Sequence, residues 1–180
     1  MLKYIDAWEE NPYTLYKPEY EWLAGIVQSH GIRSVLEFGP GSSTFAFLEN
    51  GCEIWSLENN PEWLVMHKET FSGFPNVHLG GYDVVVDLVL DEIPNRRFDC
   101  AFVDAPNGGD YFKHHSRLSS LDFARTRTNL IFLHDANRPK EIRSIEYMHD
   151  KGWAVRETCP VSERGFVLLE RDASWRPIMR

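Results

Sequence analysis

Short apolar runs of strand length recur between residues 34 and 170, and segments with helical spacing separate most of them. This alternation predicts one continuous α/β domain with a mostly parallel sheet and helices on both faces, because strands that alternate with helices form βαβ units. The last two runs, 153–158 and 165–170, lie too close together for an intervening helix. They therefore predict an antiparallel pair at the end of the sheet.

Proline, glycine and asparagine positions give the approximate boundaries of the elements. A helix at 18–29 places residues 1–33 in an N-terminal helical segment that packs on the sheet of residues 34–180. Segment 82–97 suits either an extended run or a short helix, and this alternative stays open. We predict strands at 34–38, 53–58, 77–79, 98–104 and 130–135, and helices at 42–51, 61–71, 116–127 and 139–152.

The charge of the chain limits its partners. Its 180 residues include 19 basic and 27 acidic side chains, for a net charge of −8, which disfavours general binding to nucleic acids or anionic membranes. No apolar run approaches the roughly 18 residues of a membrane helix, and we expect a cytoplasmic protein. Three cysteines without CxxC spacing, Cys52, Cys100 and Cys159, are expected to be reduced thiols.

Polar residues follow four of the predicted strands, at the edge where open α/β sheets bind ligands. The glycine-containing segment 37–41 follows the first strand, Glu58 ends the second, Asp104 ends the fourth, and His134 and Asp135 end the fifth. Because the carboxyl ends of parallel strands meet at one edge, these residues predict a single ligand site.

The turn after the first strand favours a ligand with a cationic group. Gly39 and Gly41 would let the backbone turn sharply near a ligand, and Glu58, about 20 residues after Glu37, could accept hydrogen bonds from both hydroxyls of a ribose. Thr44 stands where the dinucleotide fingerprint has its third glycine. The Glu37 carboxylate would repel a phosphate but suits an amino group. A turn that serves only strand-to-helix geometry is the alternative.

Segment 35–42 (Val-Leu-Glu-Phe-Gly-Pro-Gly-Ser) resembles the first motif of the class I S-adenosylmethionine-dependent methyltransferases, and segment 98–104 resembles their fourth motif. Glu58 is similar to their ribose-binding acid. The resemblance covers residues 34–170 and implies a Rossmann-like seven-stranded sheet and S-adenosylmethionine as cofactor. The cofactor-binding residues that it implies are Glu37, Gly39, Pro40, Gly41, Ser42, Glu58, Tyr82 and Asp104.

A narrower resemblance covers residues 103–141. An Asp-Ala-Pro-Asn-Gly loop at 104–108, an Arg-Leu pair at 117–118 and a His-Asp-Ala-Asn-Arg segment at 134–138 stand in the same order as in the plant polysaccharide methyltransferases that modify glucuronoxylan. Leu118 replaces the methionine of that family, and this chain is shorter. The resemblance implies O-methyl transfer to a small or carbohydrate-like acceptor.

Three residues are candidates for catalysis: Asp104, His134 and Asp135. His134 could deprotonate an acceptor hydroxyl, with a structural histidine as the alternative, and either acid could instead cap a loop or a helix. Asp104 and Asp135 also resemble two carboxylates with which catechol-type methyltransferases hold magnesium, so Mg²⁺ or Mn²⁺ is a candidate ligand. In that pattern an amide directly follows the second acid, whereas here Ala136 intervenes before Asn137.

Basic residues just beyond Asp104 suggest an acceptor that bears a carboxylate, such as a uronic acid. Lys113, His114, His115 and Arg117 form a local cluster on an acidic chain, and Arg138 could add a bidentate pair. A solvated loop is the alternative. We assign His114, Arg117 and Arg138 to the acceptor. A nicotinamide-dependent oxidoreductase and a non-catalytic S-adenosylmethionine-binding protein are the competing functions, and the oligomeric state stays open.

Overall fold

The structure is a computed structural model of the chain that describes residues 3–4, 14–82, 93–106 and 117–174. The elements alternate as the apolar pattern predicts. In chain order they are α1 (Lys17–Ser29), β1 (Ser34–Phe38), α2 (Ser42–Leu48), β2 (Glu53–Glu58), α3 (Pro61–Thr70), β3 (Val77–Gly81), β4 (Cys100–Val103), α4 (Leu118–Arg127), β5 (Leu130–His134), α5 (Pro139–Asp150), β6 (Trp153–Thr158) and β7 (Phe166–Arg171).

The seven strands form one sheet in the order β3-β2-β1-β4-β5-β7-β6. Strands β1 to β5 pair in parallel, whereas β7 is antiparallel to both β5 and β6. The predicted Rossmann-like sheet with its C-terminal antiparallel pair is therefore confirmed. The strand order reverses between β1 and β4, and ligands of open α/β sheets bind in the crevice at such a point.

Successive strand residues divide between two hydrophobic clusters, because side chains alternate across a sheet. Val35 and Phe102 pack with α1 and α2 in one cluster, whereas Leu36 and Val103 pack with α4 and α5 in the other. The central parallel strands β1, β4 and β5 are buried on both faces, which explains why their sequences read as largely continuous apolar runs.

Most predicted boundaries agree with the structure within a few residues. Strand β4 is shorter than the predicted 98–104, and β3 extends two residues beyond the predicted 77–79. Most of the ambiguous segment, residues 83–92, lies outside the described residues. All three cysteines are buried with free thiols. None of the described helices is long and apolar enough to cross a membrane.

Candidate functional site

Gly39 brings the loops after β1 and β4 together. Its φ of +89° lies in the left-handed region that favours glycine, and a Cβ there would lie 3.1 Å from the Ala105 Cβ. The Asp104 N–H donates to the Phe38 carbonyl at 2.9 Å. Gly39 therefore permits the loop after β1 to approach the loop after β4 closely, at the point where the strand order reverses.

Gly41, by contrast, leaves free space. A Cβ at this position would meet no described atom within 4 Å, so packing within the described chain does not require glycine here. Its N–H donates to the Thr44 hydroxyl at 3.0 Å at the start of α2. The adjacent Ser42 hydroxyl accepts from the Leu15 N–H at 2.9 Å and ties the turn to the segment before α1. Pro40 is buried. The open side of Gly41 fits a ligand that passes close to the backbone.

Glu37 is fully buried and organises the turn. Its carboxylate accepts hydrogen bonds from the hydroxyls of Ser43 at 2.6 Å, Thr44 at 2.8 Å and Ser56 at 2.7 Å. Burial raises the pKa of Glu37 to about 7, although the three hydroxyls favour the charged form, and the nearby Asp104 charge raises it further. The carboxylate therefore joins β1 to both α2 and β2.

Glu58 lies at the carboxyl end of β2 and is also buried. It accepts from the Asn60 N–H at 2.8 Å, and its other oxygen lies 3.8 Å from His67 Nδ1. Burial raises the pKa of Glu58 to about 7 and lowers the pKa of His67, so this histidine is a poor counter-charge. The Tyr82 N–H donates to the Glu58 carbonyl at 3.2 Å. We call Glu37 and Glu58 the acid pair.

A second group of charges lies at the ends of β4 and β5, and we call it the charged cluster: Asp104, Arg117, His134 and Asp135. Nη2 of Arg117 lies 2.6 Å from Asp104 Oδ1 and 2.8 Å from Asp135 Oδ2. Nη1 of Arg117 donates to the His134 carbonyl, and His134 Nδ1 lies 3.1 Å from Asp104 Oδ1. Asp135 has a φ of +56°, a conformation that aspartate tolerates better than most residues.

The opposite charges in the cluster support one another. Burial alone would raise the pKa of Asp104, but His134 and Arg117 hold it well below its usual range. Burial alone would lower the pKa of His134, yet Asp104, Glu19 and Asp135 raise it to about 9. His134 is therefore a cation at neutral pH. Within the cluster, Asp104 is the most exposed side chain, at 25%.

Two further arginines border the cluster. Arg138 is 39% exposed and places Nη2 2.9 Å from Asp135 Oδ2. Arg164, from the β6–β7 connection, lies with Nε 4.0 Å from Asp135 Oδ1 and stacks its guanidinium 4.6 Å from the centre of the Tyr16 ring. These contacts join the start of α1 to the end of β5.

One carboxylate oxygen each of Asp104 and Asp135 and one ring nitrogen of His134 lie within 4.8 Å of one another, close enough to be tested as a metal site. The donor set does not fit a divalent cation. Arg117 Nη2 already contacts both carboxylate oxygens from the space that an ion would need. No step of the chemistry below is therefore assigned to a metal.

The predicted site residues gather at one edge of the sheet. The acid pair, the 39–42 turn, Tyr82 and the charged cluster all lie at the ends of β1 to β5. Arg117 is only 2% exposed, so an acceptor carboxylate would reach it only by displacing an aspartate. His114 lies outside the described residues.

The sequence reasoning missed two charged residues beside the cluster. Glu19 on α1 is buried, lies 3.5 Å from His134 Nε2 and accepts a hydrogen bond from the Ser162 hydroxyl. Arg164 is the second. Glu19 also accepts from the Tyr16 N–H at 2.9 Å, so in the sequence it looks like an ordinary first-turn acid. No local signal places either residue near β5.

Solved structures provide the comparison with known proteins, whereas no family model and no curated protein sequence matches the chain. A putative caffeoyl-CoA O-methyltransferase from Staphylococcus aureus superposes with a TM-score of 0.71 at 11% identity, over 88% of this chain and 85% of that one. An O-methyltransferase from Bacillus cereus in complex with SAH gives 0.64 at 14% identity, over 89% and 84%. The SAH-bound methyltransferase PaMTH1 from Podospora anserina gives 0.64 at 18% identity, over 94% and 85%. The chain shares the Rossmann-like fold of these methyltransferases.

Proposed function

We propose that the protein is a class I S-adenosylmethionine-dependent methyltransferase that methylates an oxygen of a small or carbohydrate-like acceptor. The acid pair is the observation that carries this proposal. Both carboxylates are buried, and neither forms an ion pair with a described lysine or arginine. Burial raises their pKa values to about 7, and a bound cation would stabilise the charged form of both carboxylates.

S-adenosylmethionine has the charge that this environment lacks, since it carries a positive sulfonium and an amino group. When bound, it supplies a methyl group that is intrinsically electrophilic. Glu58 would accept hydrogen bonds from the ribose. The open side of Gly41 would face the amino acid portion of the cofactor. The negative charge of Glu37, which lies behind the 39–42 turn, would attract the amino group of that portion. Tyr82, Pro40 and Ser42 complete the predicted pocket. The Bacillus cereus and Podospora anserina structures, both with SAH, support this choice of cofactor.

A nicotinamide dinucleotide suits the same pocket less well. Its pyrophosphate would meet the field of three carboxylates, since the charge of Asp104 already raises the pKa values of Glu37 and Glu58. Thr44, at the position of the third fingerprint glycine, donates its hydroxyl to Glu37 instead of leaving room at the helix start.

The charged cluster would orient the acceptor. Asp104 is partly exposed beside the cofactor turn and would accept a hydrogen bond from the acceptor hydroxyl, which orients the oxygen for methyl transfer. Because the lowered pKa of Asp104 makes it a weak base, the hydroxyl proton would pass to solvent as the methyl group is transferred. His134 is 2% exposed and cationic, so it would hold Asp104 in place rather than remove a proton itself. Asp135 fixes Arg117 and Arg138. Such alignment of donor and acceptor can lower the activation free energy by about 7–11 kcal/mol.

The acceptor would carry a carboxylate, as in a uronic acid. Arg138 is exposed enough to meet one, whereas Arg117 is committed to two aspartates. The putative caffeoyl-CoA and other O-methyltransferases that share the fold support transfer to oxygen. The predicted contact of His114, the two-part division at residue 33 and the cytoplasmic location stay predictions.

The proposal is tested by calorimetric titration of the purified protein with S-adenosylmethionine and, separately, with NAD. We expect saturable binding of S-adenosylmethionine and much weaker binding of NAD. Formation of S-adenosylhomocysteine with a panel of uronic acid, sugar and phenol acceptors then separates an enzyme from a binding protein. Tight NAD binding without S-adenosylmethionine binding would contradict the proposal, and binding without product from any acceptor would favour the non-catalytic alternative.

A further inference from the structure

The guanidinium of Arg117 occupies the centre of the charged cluster. A single nitrogen, Nη2, contacts one carboxylate oxygen of Asp104 at 2.6 Å and one of Asp135 at 2.8 Å. The same two oxygens lie 3.1 and 3.8 Å from His134 Nδ1, and these three residues form the metal-like group of side chains. Divalent ions lie about 2.0–2.6 Å from their oxygen ligands, so an ion that bridges these two oxygens must either displace Nη2 or lie beside a guanidinium of like charge.

Arg117 is also fixed in this position. It lies at the N-cap of α4, and its carbonyl accepts the Leu121 N–H at 2.9 Å. The Ser120 hydroxyl, in the first turn of the same helix, donates to the Ala105 carbonyl at 3.0 Å and joins α4 to the loop after β4. Nη1 of Arg117 donates to the His134 carbonyl. To leave the cluster, the buried guanidinium would have to break contacts with β4 and β5 residues together.

The charges agree with the geometry. A divalent ion at Nη2 would add two positive charges beside Arg138, whose Nη2 lies 2.9 Å from Asp135, and beside Arg164. Glu19 and Glu141 add two carboxylates to the two aspartates, but Arg117, the two bordering arginines and His134 already balance these four acids, so a divalent ion would leave an excess of positive charge. Arginine, unlike a metal ion, also offers planar donors that match two carboxylates.

We propose that Arg117 is the resident cation of this site, taking the place of a divalent metal ion between Asp104 and Asp135, and that the site binds no such ion. Its meaning for catalysis rests on the proposed methyl transfer, but the occupancy itself does not. Arg117 then acts as a positioning residue, because it fixes the carboxylate that meets the acceptor.

The test is a titration of the 180-residue chain with Mn²⁺, in which electron paramagnetic resonance measures the concentration of the free ion. The measured quantity is the part of the Mn²⁺ binding that Asp104→Asn removes, so that sites elsewhere on the acidic surface cancel. In the wild type we expect no such Asp104-dependent binding at Mn²⁺ concentrations up to about 1 mM, which corresponds to the weakest affinities of protein calcium sites. Binding in the wild type that Asp104→Asn abolishes would overturn the proposal.

The second arm uses Arg117→Met, which removes the charge and keeps an unbranched side chain of comparable length. We expect it to gain Mn²⁺ affinity by at least about tenfold, because a like charge at contact distance is gone. Its thermal midpoint should rise with Mn²⁺, whereas that of Arg117→Lys, which keeps the charge, should not. Arg125→Met removes a partly exposed arginine of the same helix, one that contacts neither aspartate of the cluster in the described structure, and serves as the control. A folded Arg117→Met protein without Mn²⁺ binding would overturn the assignment.

If Arg117→Met does not fold, the wild-type and Asp104→Asn titrations still decide the question. Neither titration needs an acceptor or a turnover assay, so a failed methyltransferase assay leaves them intact. Where methyl transfer is detected, the wild type should keep its full rate after exhaustive chelation. Loss of that rate with recovery on added Mg²⁺ or Mn²⁺ would contradict the proposal while confirming the methyltransferase.

Discussion

The acid pair and the charged cluster lie at the same edge of one sheet and contain similar side chains, yet their electrostatics are opposite. Glu37 and Glu58 have hydroxyl or backbone N–H partners and pKa values raised to about 7. Asp104 has Arg117 and His134 within 3.1 Å, and its pKa is lowered. Among the described residues, one half of the site has no arginine or lysine partner for its acids, and the other half contains its own cations.

This difference indicates which half receives a charged ligand. A buried carboxylate without a counter-charge is costly, and binding of a cation recovers part of that cost. A carboxylate already paired with a buried arginine gains little from a second cation. The acid pair therefore fits a positively charged cofactor, and the charged cluster fits a rigid platform for the other reactant.

The largest expected effect comes from removing one charge of the cluster. Asp135→Asn should lower the free energy of unfolding by about 3–5 kcal/mol, because Arg117 and Arg138 lose a buried partner. Asparagine tolerates the left-handed backbone at this position, so the loss reports on charge. Urea unfolding measures it.

The matched control for this variant is Asp122→Asn on α4, which breaks the more exposed pair with Arg125. Exposed pairs contribute about 0–1 kcal/mol, although Asp122 also accepts a hydrogen bond from the Tyr147 hydroxyl. Equal losses of unfolding free energy in the two variants would mean that the ion pairs of the cluster stabilise the protein no more than a surface pair does.

The next effect concerns the acid pair. Glu58→Gln should weaken S-adenosylmethionine binding by roughly 10- to 100-fold, since a charge-assisted hydrogen bond is worth about 1.5–3 kcal/mol. The stability of the free protein should change little or increase, because the buried charge has no arginine or lysine partner among the described residues. Calorimetric titration measures the affinity.

Glu62→Gln, in the exposed first turn of α3, removes a nearby acid outside the pocket and serves as the control. Unchanged affinity in a folded Glu58→Gln protein would remove Glu58 from the cofactor site. It would also end the contrast between the two halves, since neither would then need an external cation.

The sequence was sufficient to predict the sheet and the positions of the polar residues at its edge. Short continuous apolar runs, with Gly39, Asn60 and Pro139 at the turns, locate β1 to β5 within a few residues. Because parallel strands align their carboxyl ends, Glu37, Glu58 and the two aspartates could be brought together without coordinates.

The state of each charge could not be predicted in the same way. Arg117 stands among basic residues, where the sequence predicts a contact with the acceptor or, as the alternative, a solvated loop, but it is buried because two aspartates face it. Glu19 and Arg164 reach the cluster from α1 and from the β6–β7 connection. Such pairings depend on tertiary packing and leave no periodic signal in the sequence.

A third prediction uses pH to separate the two halves. The affinity for S-adenosylmethionine should rise as the pH rises through about 7, by up to about tenfold per pH unit for each proton released, because the cationic cofactor prefers ionised Glu37 and Glu58. Titrations at several pH values, in buffers of different ionisation enthalpy, measure the protons released. An affinity that is flat between pH 6 and about 8 would contradict the raised pKa values.

The free protein should show the linked effect on stability. A folded-state pKa of about 7, against an ordinary pKa of 4.5 for this side chain, means that the folded state binds more protons between these values. The contribution of Glu58 to stability is therefore present below pH 4.5 and is lost as the pH rises through about 7. Glu58→Gln should flatten this part of the curve. His134 gives a separate decline, since its contribution is present below pH 6.5 and is lost as the pH rises through about 9.

The smallest expected effect concerns the acceptor and the exposed border of the charged cluster. Arg138 is 39% exposed and has one nitrogen on Asp135, so its remaining donors can meet a substrate carboxylate. Arg138→Ala should reduce the preference for a uronic acid over the matched neutral sugar by about three- to tenfold in kcat/KM, and salt should weaken the preference in the wild type. Arg143→Ala removes an exposed arginine from the same helix and should leave the preference unchanged. If Arg138→Ala and the wild type show the same preference, the carboxylate is recognised elsewhere, and the cluster orients the acceptor only through Asp104.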